Sequence, residues 1–315
     1  MGIVDGKIAI VTGAGRGVGR GEALELAAQG AKVVVNDPGG SSKGDGSDQA
    51  PADETVAIIT ERGGTAIANY DDVGSFEGAK AIVDTAIEAF GGLDIIVNNA
   101  GILRDATITK MTEEDFDSVI RVHLKGTWNM THHGCVYWQN ESKAGRQRRA
   151  AIVNTVSSAG LQGNKGQANY GAAKAGIAAL TIITALEGER YGVRANAVAP
   201  GGATRMVNEA MPQIPIREAN EVPDGEFERL NPGNSAPMVV WLASDEALLV
   251  SGQVFRAVGS GITRYHGWSL GATVENKVRG ADGKQTDAKW DPEQLTSALA
   301  KNLFGLRPGG LQMGG

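Results

Sequence analysis

The sequence predicts an α/β protein: a Rossmann-type doubly wound parallel sheet, in a single domain with a C-terminal extension. Three observations carry this. Short apolar, β-branched runs alternate with stretches of helical spacing through most of the chain. A glycine-rich turn, Gly13-Ala14-Gly15-Arg16-Gly17-Val18-Gly19, joins the first run to the first helical stretch. The runs are continuously apolar rather than alternating, the pattern of strands covered on both faces. Strands that alternate with helices pair in parallel, because each crossover must return over a face of the sheet.

The elements follow in order. Lys7 to Val11 is the first strand, and Glu22 to Gln29 has helical spacing. Ala31 to Val35 is a second strand, ending at Asn36-Asp37. Pro38 to Pro51 is rich in Gly, Ser and Asp and is expected to be a surface loop. Ala66 to Tyr70 is a third strand, Phe76 to Phe90 a helix and Leu93 to Val97 a fourth strand. Thr112 to His133 reads as one long helix, opened by Thr112 with Asp115 three residues on, a variant of the capping box. Ala151 to Thr155, Arg194 to Val198 and Val254 to Val258 read as strands, and Asn169 to Tyr191 and Ala236 to Leu242 as helices. The expected domain covers 1–264. The extension, 265–315, holds a candidate amphipathic helix at 291–303 with Leu295, Leu299 and Leu303 on one face, and is a candidate for a subunit interface.

Composition excludes several classes. With 315 residues, 42% of them hydrophobic, the chain has material for a sizeable core. A net charge of −6 argues against nucleic acid as the main partner. Cys135 is the lone cysteine, so no internal disulfide forms, and a reducing, cytoplasmic location is expected. No uncharged apolar stretch is long enough for a membrane span, and no secretory leader or peroxisomal tripeptide is read at the ends.

The candidate site residues fall at the carboxyl ends of the strands, where ligands bind in open α/β sheets. Gly13, Gly17 and Gly19 lie between a strand and a helix, where the backbone must turn tightly and let a pyrophosphate approach the helix N-terminus; an ordinary βα turn is the plainer alternative. Arg16 and Val18 share that turn. Asp37 closes the second strand, where a carboxylate binds the adenosine ribose and disfavours a 2′-phosphate, which points to NAD; Arg16 is the competing signal, for NADP. Asp72 and Val73 follow the third strand and suit an adenine edge; Asn99, Ala100 and Gly101 follow the fourth. Ser157 follows the fifth, thirteen residues before Tyr170, and Lys174 lies one helical turn beyond Tyr170. A tyrosine, ordinarily titrating at about 10, needs a lowered pKa to exchange protons near neutrality, and a lysine on the same helix face is expected to supply it. Ser157 would orient a carbonyl. Together these describe a nicotinamide-dependent oxidoreductase; no metal is called for.

These motifs, with Pro200-Gly201, resemble the short-chain dehydrogenase/reductase family over roughly residues 5–262. Within it, Val34 to Gly40, Ala68 to Asp71, Asn98 to Asp105, Arg121 to Gly126 and Gly166 to Tyr170 are similar to the (3R)-hydroxyacyl-CoA dehydrogenase unit of peroxisomal type-2 multifunctional enzymes and bacterial relatives. The resemblance implies catalysis by Ser157, Tyr170 and Lys174 and a homodimer or homotetramer paired through the two long helices. It places His123 where the family usually has a proton-relay asparagine, leaving relay and helix packing both open. It leaves Thr204 as the substitute for the threonine that meets the carboxamide. The expected substrate is a (3R)-3-hydroxyacyl-CoA, with a steroid-like alcohol or an acyl-carrier-protein substrate as alternatives and a non-catalytic binding protein as the remote one. Lys143, Arg146, Arg148 and Arg149 read first as a solvated charged loop, with contact to coenzyme A phosphates as the alternative if the loop reaches the cleft mouth. The segment from Met206 to Phe227 is expected to form a lid over the acyl chain.

Overall fold

The computed structural model describes residues 2–210, 212–221, 227–267, 273–293, 295, 298 and 299. The chain divides into two units, Met1–Tyr265 and His266–Gly315. The larger holds a sheet in the order β3-β2-β1-β4-β5-β6-β7-β8. Its strands are β1 (Ile8–Thr12), β2 (Lys32–Asn36), β3 (Thr65–Asn69), β4 (Ile95–Asn98), β5 (Ala150–Thr155), β6 (Val193–Gly201), β7 (Val254–Val258) and β8 (Gly261–Arg264). Seven are parallel, and β8 turns back antiparallel to β7. The expected Rossmann-type topology is therefore present, and β8 is an addition. It is exposed along its whole length, so no apolar run marks it in the sequence.

Helices α1 (Gly17–Ala28), α2 (Ala50–Glu61) and α9 (Ala236–Ala243) share one core with β1 and β2, built on Val11, Leu26, Val33, Ile59 and Val239. The other core joins Ile10, Val34, Ile82, Ile96 and Trp138 from the strands, α3 (Phe76–Phe90) and α5 (Gly126–Lys143). Helix α2 begins at Ala50, inside the stretch expected to be loop as far as Pro51; Pro51 fits there because the first turn of a helix needs no N–H from it.

The long helix expected at 112–133 begins with the expected capping box: Asp115 N donates to Thr112 Oγ1 at 3.1 Å and Thr112 N to Asp115 Oδ2 at 3.2 Å. It is not continuous. After α4 (Glu113–Ile120) a π-helical turn, Arg121–Lys125, widens the ladder before α5 carries on to Lys143. Such turns often mark functional sites, and this one carries His123. Helix α7 (Ala168–Gly188) follows the short α6 (Ser158–Gln162). Among the described residues one helix, Ala168–Tyr191, has the length and apolar character of a membrane span. It packs on β5 and β6 and buries Lys174 and Ile177, which accounts for its composition.

In the second unit, β9 (Lys277–Arg279) and β10 (Gln285–Asp287) form an antiparallel hairpin. The helix expected at 291–303 lies largely outside the described residues, as do 211 and 222–226 of the expected lid and everything after Gly305.

Candidate active site

Every parallel strand ends at the same edge, and there the chain opens a cleft of about 770 Å³, within the usual range of ligand sites. Gly13, Arg16, Gly17, Val18, Gly19, Asp37, Asp72, Val73, Asn99, Ala100, Gly101, His123, Ser157, Tyr170, Lys174, Pro200, Gly201 and Thr204 all line it. Residues distant in sequence meet because successive strands deliver them to one edge.

The glycine turn is fixed from below. Gly13 has φ of 63°, and a Cβ there would lie 2.8 Å from Ala100 Cα. A Cβ on Gly19 would lie 2.3 Å from Gly13 O, so the helix starts hard against the turn. Thr12 Oγ1 accepts from the amides of Asn99 and Ala100, each at 3.1 Å, and Asn99 Nδ2 donates back to Thr12 O and Gly13 O. Asn99 thus acts here as the strap between β4 and the turn. Beneath, Asn98 Nδ2 donates to Asn154 Oδ1 at 2.8 Å, and Asn154 Nδ2 to Thr181 Oγ1 at 2.9 Å, tying β4 and β5 to α7. Sequence reading assigned this ladder and Thr12 no role. An asparagine closing an apolar run is the only signal it leaves.

Asp37 is held at the far end of the cleft, where Oδ2 accepts from Gly15 N at 2.9 Å and Oδ1 from Gly39 N at 2.7 Å. Arg16 reaches Asp48 at only 3.9 Å. Asp72 accepts from Gly74 N at 2.8 Å and pairs with Arg121. Thr204 sits over the turn, its methyl 3.2 Å from where a Gly17 Cβ would be. The polar loop after Asp37 is a wall of the cleft rather than a free surface loop. Leu103 N donates to Ser42 O at 2.9 Å, Arg104 Nε to Lys43 O at 3.1 Å, and Ser42 Oγ to the Glu209 carboxylate, while Gly44 rests on Ile102.

Tyr170 and Lys174 project from α7 towards the end of β5. Lys174 Nζ donates to Thr155 O at 2.6 Å and lies 5.6 Å from the centre of the Tyr170 ring. Burial pulls the Lys174 pKa down to about 7, with the buried Glu22 carboxylate acting the other way. Burial likewise raises Glu22 to about 8, with Lys174 opposing it. The Tyr170 pKa is raised, not lowered as expected. Burial is the main cause, the Ser157 hydroxyl works against it, and Asp105 adds to it. A lysine depressed by its own burial is a weak source of positive charge, which explains the difference.

His123 packs edge-on against Tyr170, ring centres 5.1 Å apart, and fills the space beside Gly101. Its Nε2 lies 2.8 Å from Ile102 O and 3.0 Å from Ile102 N, and its buried Nδ1 finds no hydrogen-bond partner among the described residues. Burial and, after it, Lys174 lower its pKa to about 3, so the ring is neutral.

Lys143, Arg146, Arg148 and Arg149 are absent from the cleft lining and lie at the amino edge of the sheet. Arg146 binds Glu141 at 2.6 Å, Arg148 binds Asp94 at 2.9 Å and Arg149 binds Asp245 at 3.0 Å. The condition for their meeting a substrate is not fulfilled. They precede β5, whereas the site lies beyond its end.

The family model "short chain dehydrogenase" matches residues 7–214, and the chain belongs to that family. It is 40% identical over 307 residues to hydroxyacyl-CoA dehydrogenase ChsB1 of Mycobacterium tuberculosis, covering 97% of this chain and 91% of that one. It is 38% identical over 289 residues to the mouse peroxisomal multifunctional enzyme type 2, covering 91% of this chain but only 36% of the longer protein. A short-chain dehydrogenase from Mycobacterium avium, solved by crystallography, superposes with a TM-score of 0.82 at 45% identity, covering 98% of both chains. The protein is accordingly an oxidoreductase acting on CH–OH groups with a nicotinamide dinucleotide.

Proposed function

We propose that this protein interconverts a (3R)-3-hydroxyacyl-CoA and the 3-oxoacyl-CoA, using NAD. The observation that carries the catalytic part is the convergence of Ser157, Tyr170 and Lys174 on one cleft with the glycine turn at its other end. The residues fit the dinucleotide: α1 opens onto the cleft, and Gly17 N already binds a carboxylate there, that of Glu218, at 2.7 Å. Substrate class is supported by the likeness to ChsB1 and to the multifunctional enzyme, and no longer by the basic stretch at 143–149.

A nicotinamide bound beside Ser157 and Tyr170 would supply the hydride acceptor for C3. Tyr170 takes the hydroxyl proton, Ser157 orients the oxygen, and Lys174 holds the end of β5 beside them. His123 keeps the Tyr170 ring in place, and its Nδ1 offers a relay one ring nitrogen, an acceptor when Nε2 donates to Ile102 O. Asp37 and the adjoining amides receive the adenosine ribose. Pairs of chains are expected to meet through α4, α5 and α7.

The test is turnover of both enantiomers of a 3-hydroxyacyl-CoA and of a free steroid alcohol, each with NAD and NADP. The (3R) thioester with NAD should be turned over fastest, and Asp37→Ala should narrow the gap to NADP. Activity on the steroid alone or on the (3S) thioester alone overturns the substrate assignment. A wild-type preference for NADP shows that Arg16 outweighs Asp37.

A further inference from the structure

Part of the glycine turn is already spoken for by the protein's own chain. Glu218 lies on the segment after α8 (Arg205–Ala210) and lines the cleft. Its Oε2 accepts from Gly17 N at 2.7 Å and sits 3.8 Å from Nε of the buried Arg20. Its side chain is 19% exposed. Gly17, with φ of 56°, opens α1, and as a first-turn amide its N–H has no partner within the helix.

The segment around Glu218 is docked. Arg217 N donates to Ala203 O at 2.8 Å, and Ala203 N donates to Leu230 O at 2.7 Å. Ala219 lies down on α1 at Gly21, where a Cβ would stand 3.0 Å from the alanine's own. Met206 and Val207, on the same segment, wall the cleft beside Thr204.

These amides are the ones a dinucleotide pyrophosphate uses. One N–H cannot serve two anions, and a carboxylate beside a pyrophosphate adds repulsion. Arg205 presents the opposite charge. It lines the cleft near Arg16, Asp37, Glu218 and Glu209, and it makes no hydrogen bond or ion pair among the described residues. A half-buried guanidinium without a partner is costly and is relieved by an anion.

We infer that Glu218 is an internal competitor for the pyrophosphate seat: the dinucleotide lifts its carboxylate off Gly17 N, and Arg205 binds the pyrophosphate in exchange. Cofactor entry is thereby coupled to movement of residues 203–210 and 212–221, which also wall the substrate side of the cleft. The inference rests on dinucleotide binding and is independent of the acyl-CoA assignment.

ADP-ribose and adenosine separate the two, because the first carries the pyrophosphate and the second does not. Both are titrated by calorimetry into the wild type, Glu218→Gln and Arg205→Gln, with no substrate present. Glu218→Gln should bind ADP-ribose about 5- to 10-fold more tightly and adenosine unchanged; Arg205→Gln should weaken ADP-ribose by a similar factor, again sparing adenosine. Weaker or unchanged ADP-ribose binding in Glu218→Gln overturns the inference, as does an equal gain for adenosine, which marks general loosening of the site. Unchanged ADP-ribose binding in Arg205→Gln overturns the exchange. In the wild type, hydrogen exchange should slow at 13–20 and quicken at 216–221 when ADP-ribose is added. Slowing in both segments means that Glu218 stays in place, and also overturns it.

Discussion

In the proposed reaction Tyr170 handles the proton, and its surroundings would set how that reaction responds to pH. Burial raises its pKa, so the phenolate needed to accept a proton becomes available only on the alkaline side. Alcohol oxidation should therefore keep rising above neutral pH, and ketone reduction should fall. Tyr170→Phe should lower turnover by at least ~100-fold while dinucleotide affinity, read by fluorescence titration, survives. Near-normal turnover would take Tyr170 out of the mechanism. Glu22 sits beneath the same site, buried, with Oε2 lacking a hydrogen-bond partner among the described residues. Its folded pKa of about 8 lies above the ordinary 4.5, so between those values the folded chain keeps a proton that the unfolded chain releases. Its contribution is fully present below the unfolded pKa and lost as pH rises towards 8. Glu22→Gln should remove that loss: its stability relative to the wild type should rise by roughly 1–3 kcal/mol from pH 5 to pH 8 in denaturant titrations. A difference independent of pH would mean that Glu22 is ionised in the folded protein. Ser157, Tyr170 and Lys174 were legible because their spacing is local and their order along the chain is informative. Glu22, Glu218 and Arg205 were not. Each looks like an ordinary surface charge in sequence, and only packing of α1 against distant segments gives it a role.

At the scale of elements, caps and runs read well and interruptions read badly. Thr112 and Asp115 mark the start of α4 because a capping box is a three-residue signal. The π turn at Arg121–Lys125 has no such signal. It adds no proline or glycine inside the ladder, and its effect is to set His123 against Tyr170 and Gly101. The basic run after α5 shows the opposite failure, a conspicuous charge pattern with a structural use. Arg148 and Arg149 tie the entry of β5 to Asp94 and Asp245, and Lys7 joins the same Asp245 at 2.8 Å. Arg148→Ala should therefore lower stability by about 1 kcal/mol, the scale of a partly exposed ion pair, and leave the KM for any thioester substrate unchanged. A raised KM with unchanged melting temperature would return this stretch to the substrate.

For the whole molecule, alternation of apolar runs and helical spacing specified the sheet, since parallel pairing and crossover rules leave few other arrangements. It could not specify β8 or the β9–β10 hairpin, which are exposed and carry no hydrophobic period. The surface of the long helices bears on assembly. Ile182, Ile183 and Leu186 on α7 are exposed, Leu186 to 73%, and Phe116, Trp128 and Val136 expose further apolar area on α4 and α5. Single exposed apolar side chains need no partner, but a group of them on helices that pack together is the composition of an interface core. A second copy is the proposed occupant of this face. Light scattering at micromolar concentration should give a multiple of the 32.7 kDa chain. Leu186→Glu should shift that mass towards one chain, because an unpaired carboxylate in an apolar contact is strongly disfavoured. Leu186 is exposed on α7, far along the helix from Lys174 and outside the cleft lining, so Ser157 and Lys174 should keep their places. A single-chain mass for the wild type would end the assignment of this face to self-association and leave the catalytic reading as it stands.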